Sequence, residues 1–156
     1  MRTISILFLL FSLSAYGQTN SETNLFSFES DLNETISLSL DTISDILVFR
    51  NGDSKGKGII IKDHLNDNDT IFVYSYYLRG GGVENAGLDL NYVTFNYEND
   101  RYEIYDEYSA EGQSYSVGLR IFEGDSEGGY SITGKYESIK GSIIDFRYNG
   151  ILPILD

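Results

Sequence analysis

Apolar residues in this chain recur at every second position, in short runs separated by glycine and by Asn, Asp and Ser. That spacing is the strongest constraint on its fold. Ile36, Leu38 and Leu40 alternate with Ser37 and Ser39, and Tyr, Phe, Ile, Val and Thr fill the later runs. A period of two puts alternate side chains on one face of a pleated strand. Glycine occurs 16 times, mostly between runs, and proline once, at Pro153. Strands are expected near 25–29, 35–40, 46–50, 57–62, 70–79, 88–97, 102–109, 114–122, 129–136 and 142–148. Residues 31–45 also fit a helix, because Leu32, Ile36 and Leu40 share one helical face. The expected class is all-β: an antiparallel meander of about 8–10 short strands forming a small lipocalin-like barrel or a sandwich.

The first residues have a different grammar. Met1-Arg2 is followed by a run of about ten residues, Ile4 to Leu13, broken only by serine, and then by Ala15-Tyr16-Gly17. The run is too short to span a bilayer, which takes roughly 20 apolar residues. Residues 1–17 therefore read as a cleaved signal peptide and 18–24 as a flexible polar segment, leaving 25–156 as a single β domain. An exported, periplasmic or extracellular location follows. No later run is long enough for a membrane span in the mature chain.

Turn residues set a register. Asn51-Gly52 is a strong two-residue hairpin signal and would place Arg50 opposite Asp53. Asn99-Asp100 would place Glu98 opposite Arg101 and Tyr97 opposite Tyr102. Ala110 to Gln113 reads as a four-residue loop around Gly112. Together the last two align Phe95 with Ile104 and Leu119, Val93 with Asp106 and Val117, and Asn91 with Tyr108 and Tyr115, all on one face. The opposite face pairs Glu103 with Arg120 and sets Tyr105 beside Gly118. Extending the meander brings Gly134 near Val117, leaving room beside Asp106. The apolar end, Ile151 to Leu155, is expected to dock on the core.

Composition removes whole classes of chemistry. There is no Cys and one His among 156 residues, so no disulfide framework, thiolate zinc site or multi-histidine metal centre can form. With 24 acidic against 11 basic residues the net charge is −13, which argues against nucleic acid. Removing residues 1–17 takes away Arg2 and no acid, so the mature charge is −14. No G-x-S-x-G elbow occurs, and His64 sits in a polar turn. Neither a catalytic motif, a metal site nor a cofactor site is expected. Asn66-Asp67-Asn68-Asp69 has half of a calcium loop but lacks its central glycine and closing glutamate, and Glu123 to Gly129 is a similar acidic loop.

Two places stand out. Asp106 is aimed at the apolar face, where a carboxylate is costly unless bonded or in a wet pocket. With Tyr108 and Tyr115 it is a candidate ligand anchor. Arg79 to Gly87 is a glycine-rich loop that reads first as a mobile connection, with Arg79 paired to Glu84 or Asp89, and second as a binding loop in which Arg79 and Asn85 are candidate ligand contacts. This is no phosphate loop, because no Gly-Lys-Ser/Thr follows.

An export signal followed by a small β domain resembles, in architecture alone, periplasmic lysozyme inhibitors and small lipocalin-like binders. The leading expectation is a non-enzymatic binding protein whose acidity favours a cationic protein partner. The alternatives are a small-ligand carrier with an internal barrel pocket at Asp106 and, behind it, a carboxylate-based hydrolase. Asp106 and its neighbour Glu107 cannot be such a hydrolase pair, since adjacent strand residues point to opposite faces.

Overall fold

The computed structural model describes residues 21–53, 55, 57–65, 70–124 and 128–155. The expected signal peptide at 1–17, the acidic run at 66–69 and residues 125–127 of the second acidic loop lie outside the described residues. The strands are β1 (Glu22–Glu29), β2 (Glu34–Asp41), β3 (Ile46–Asp53), β4 (Gly58–His64), β5 (Val73–Arg79), β6 (Leu88–Tyr97), β7 (Asp100–Ser109), β8 (Ser114–Glu123), β9 (Gly129–Thr133) and β10 (Lys140–Gly141). A one-turn helix, α1 (Phe146–Asn149), and a two-residue strand, β11 (Ile154–Leu155), complete the chain. Among the described residues no helix is long and apolar enough to cross a membrane.

The chain is all-β. One sheet has the order β10-β1-β2-β3-β4 and the other β11-β5-β6-β7-β8-β9. Every pairing is antiparallel except β11, which runs parallel to β5. Period-two alternation puts Phe26, Phe28, Ile36, Leu38, Leu47, Phe49 and Ile61 of the first sheet in one core with Val93, Phe95, Ile104, Val117 and Leu119 of the second. Phe49 meets Phe95 at 4.8 Å between ring centroids and Tyr102 at 6.1 Å, tilted as aromatic quadrupoles prefer. The space between the sheets is thus filled by side chains.

The sheets do not close into a barrel. One flank is stitched by a bridge between Ser30 and Gly134, with the Asp31 amide donating to Thr133 at 3.0 Å and the Lys135 amide to Glu29 at 2.8 Å. At the other flank no β4–β5 ladder forms among the described residues. There the Asp63 carboxylate accepts from the Thr70 hydroxyl at 2.8 Å and the Ile71 amide at 2.7 Å.

The strand expected near 35–40 forms as β2, with Ile36 and Leu38 buried while Leu32, which the helical alternative would have placed beside Ile36, is exposed. Several other sequence expectations change. Of the segment 18–24 expected to be flexible, residues 18–20 lie outside the described residues, while 22–24 belong to β1, where the Glu22 carboxylate forms an ion pair with Arg50. Asn51-Gly52 is no hairpin turn: β3 continues to Asp53, and Arg50 lies opposite Ile60. The Asp53 carboxylate explains this. It accepts from the amides of Lys55 at 2.9 Å and Lys57 at 3.0 Å, organising the turn two residues later.

The β6–β7 turn is Glu98-Asn99, with Glu98 at φ +55°, so Tyr97 opposes Asp100 and Phe95 opposes Tyr102. This register differs from the expected one by two residues. A two-residue slide keeps every side chain on its face, so hydrophobic patterning cannot detect it. The observed pairing stacks Phe95 on Tyr102, with centroids 5.1 Å apart and planes within 3°. The β7–β8 register is as expected: Ile104 opposite Leu119, Asp106 opposite Val117, Tyr108 opposite Tyr115 and Glu103 opposite Arg120. Where a strand was expected over 142–148, Ile143–Asp145 and Phe146–Asn149 form helical turns, because Ile143 and Phe146, three apart, both enter the core.

Gly118 fixes the join of β8 to β9. A Cβ there would come within 2.5 Å of the Tyr105 ring and of the Ile132 carbonyl oxygen. Because one obstacle is backbone, Gly118→Ala is expected to cost about 1–3 kcal/mol. Urea unfolding measures this; an unchanged midpoint would contradict the close approach of Tyr105.

Candidate functional site

The inner face of the second sheet carries two rows of residues beyond its apolar centre. Tyr76, Asn91, Asp106 and Val117 lie side by side across β5 to β8, followed by Leu78, Asp89, Tyr108 and Tyr115. Here the facing wall is formed by residues 136–144 of the C-terminal segment. Between the two lies a cleft of about 330 Å³, bordered by Asp89, Asn91, Asp106, Tyr108 and Tyr115 on the sheet and Tyr136, Ile139 and Ile144 opposite.

Arg147 of α1 fastens the two walls. Its side chain is 5% exposed and forms an ion pair with Asp89. Its Nε donates to the Tyr74 hydroxyl at 3.1 Å and its Nη2 to Asn91 Oδ1 at 2.5 Å. The guanidinium carbon also lies 4.5 Å from the centroid of the Tyr76 ring. Asn91, itself buried, accepts from the Tyr74 hydroxyl at 2.6 Å and donates to Asp89 Oδ1 at 3.0 Å and to the Asp106 carbonyl at 3.3 Å. Every polar atom of this carboxamide therefore has a partner, as burial requires.

Asp106 is treated differently. It is half-buried, yet among the described residues no hydrogen-bond donor reaches its carboxylate. Burial raises its pKa above the ordinary carboxyl value, and the negative charge of Asp89 adds to the effect, with Arg147 only partly offsetting them. Since Arg147 is already paired with Asp89, the cleft is left with one uncompensated negative charge. Beside it, Tyr108, Tyr115 and Tyr136 pack as a row of tilted rings with centroid spacings of 4.4 and 4.8 Å.

The structure thus brings Asp106, Tyr108 and Tyr115 together. It places Arg79 and Asn85 in the neighbouring loop, both engaged there. Arg79 donates from Nε and Nη2 to the Ala86 carbonyl at 2.9 and 2.5 Å, and Asn85 packs where a side chain on Gly81 would otherwise sit. The room expected at Gly134 is taken by the Phe28 ring. Sequence reasoning missed Asp89, Arg147 and Tyr136 as site residues, and set Asn91 opposite Tyr108 instead of Asp106. The signal for Asp89 and Asn91 was present: both share the strand parity of Val93 and Phe95, so two polar residues had to face inward.

The outer face of the same sheet has its own polar network, but it is closed on itself. Arg120 binds Glu103 and Glu107, each at 2.7 Å, and lies 4.0 Å from the centroid of the Tyr105 ring. Glu107 also accepts from the Tyr92 hydroxyl at 3.0 Å. His64 is exposed at the end of β4. Among the described residues no cluster of three metal-ligating side chains forms. Comparison with protein-family models, with curated proteins and with solved structures returns no match.

An unbonded carboxylate with a raised pKa destabilises the fold whenever it is ionised. The folded state holds the Asp106 proton more tightly than the unfolded state does. Stability from this group is therefore lost as pH rises from the ordinary carboxyl range through the raised value. Asp106→Asn is expected to unfold at a higher urea midpoint than the parent at neutral pH. The difference should shrink as pH falls through that window. A variant less stable than the parent at neutral pH would show that the carboxylate is bonded after all.

Proposed function

We propose that this chain is an exported, non-enzymatic binding protein, built as a two-sheet sandwich, whose end cleft takes an organic cation. The observation that carries the proposal is the half-buried Asp106 carboxylate, which has no hydrogen bond and no counter-charge of its own among the described residues. An ammonium or guanidinium group entering there would supply both, against a tyrosine wall that suits a cation. A cleft of about 330 Å³ is at the small end of ligand sites, so it suits a single side chain or a small amine. The net charge of −13 adds long-range attraction for positively charged partners. The N-terminal grammar of residues 1–17 supports export.

A second reading, hydrolysis by a carboxylate pair, has one observation in its favour: Asp89 and Asp106 border the same cleft. Against it, Asp89 is held by Arg147 and Asn91 as a fixed counter-ion.

Calorimetric titration with n-butylguanidinium, with neutral n-butylurea as control, separates these ideas. Saturable binding of the cation alone is expected, weakened about tenfold or more in Asp106→Asn, as for loss of a partly buried charge pair. Equal binding of the urea, or an unaffected variant, would contradict the proposal. Turnover of a glycoside abolished by changing either aspartate would favour the hydrolase.

A further inference from the structure

The Asp106 cleft has a neighbour of opposite character. A second concavity, of about 240 Å³, borders the same Asp89 and Tyr108. Besides Asp89 and Tyr108 its lining is Leu78, Leu88 and Ala110, the backbone of Gly80, Gly82 and Gly87, and Arg79, whose guanidinium is turned to the Ala86 carbonyl. Leu78 is 57% exposed although it sits on the inward-facing parity of β5. Nothing lies within 4 Å of where a Cβ would stand on Gly80 or Gly82, so their backbone fronts open space.

This loop is held in shape. Arg79 is bonded to the Ala86 carbonyl, the Gly87 amide donates to Gly82 at 2.8 Å, and the Ala110 amide donates to Gly87 at 2.8 Å. Gly81 and Gly82 take φ of +112° and +62°, values that side-chain-bearing residues rarely adopt. The chain therefore maintains an uncluttered, preorganised backbone beside an uncovered leucine, next to a carboxylate without a partner.

We infer that the occupant of the joined cleft and groove is an extended polypeptide segment, with a basic side chain at Asp106 and an apolar side chain two residues away over Leu78. The inference rests on the cation-binding reading of the cleft. A small amine would leave Leu78 and the glycine backbone uncovered. Leu78 and Asp106 stand two strands and two residues apart on the sheet, about 12 Å. An extended peptide covers both, because its residues i and i+2 point the same way about 7 Å apart and a long basic side chain spans the remainder. Its own amides can bond to the exposed glycine backbone, as in strand-like peptide capture. The charge of −13 selects a basic segment and disfavours a second copy of this acidic chain.

The test uses two peptides, Ac-Leu-Ser-Arg-Ser-Leu-NH2 and Ac-Ser-Ser-Arg-Ser-Ser-NH2, titrated into the whole chain, with n-butylguanidinium as competitor. The leucine peptide is expected to bind about tenfold or more tightly than the serine peptide, the gain from covering one leucine. Leu78→Ser, at an exposed position, should abolish that preference while leaving n-butylguanidinium binding intact. Asp106→Asn should weaken both peptides. Equal affinity of the two peptides, or binding of n-butylguanidinium without either peptide, overturns the peptide inference and leaves the cation cleft standing. Failure of all three ligands overturns the cleft reading itself, and this inference with it.

Discussion

Arg147 reaches from a one-turn helix into a nearly water-free position, where an unpaired guanidinium would be untenable. Its partners come from two adjacent strands: Tyr74 on β5, and Asp89 and Asn91 on β6. Three consequences follow. The clamp seats the C-terminal segment, so that Ile143 and Phe146 stay in the core and Tyr136, Ile139 and Ile144 form a wall. It completes the hydrogen bonding of the buried Asn91 carboxamide and Tyr74 hydroxyl. It also neutralises Asp89 and so leaves Asp106, among the described residues, as the one charge in the cleft without a partner.

The two aspartates share a sheet face but differ in role. Asp89 is structural, fixed by an arginine and a carboxamide. Asp106 is a cost to the fold, raised in pKa by burial and by its neighbour. Charges kept unsatisfied in this way are expected at sites where a ligand completes them, and the stability they forfeit is returned on binding.

Much of this was legible in the sequence, and the failures have physical causes. The β7–β8 hairpin could be read because Ala110 to Gln113 leaves a single register in which Glu103 meets Arg120 and Tyr105 covers Gly118. That register alone put Asp106 on the inner face between apolar neighbours. The β6–β7 register slipped by two because either Asn99 or Glu98 can begin the turn and both choices preserve face parity. The slip displaced Asn91 from its true partner, Asp106. Arg147 was hidden for another reason. Ile144, Phe146 and Tyr148 alternate as a strand would, whereas the core selects Ile143 and Phe146 on one helical side. That choice depends on a cavity built by distant strands, which no local pattern contains.

The ionisation of Asp106, followed by carbon-13 chemical shift across a pH titration with and without n-butylguanidinium, probes the central claim at its own atom. The free protein should show a carboxyl titrating above its ordinary value, and saturation with the cation should lower that midpoint, because an opposite charge stabilises the ionised form. An ordinary midpoint that the cation does not move would mean that Asp106 already has water or a protein donor for company, and that the cleft holds no unmet charge.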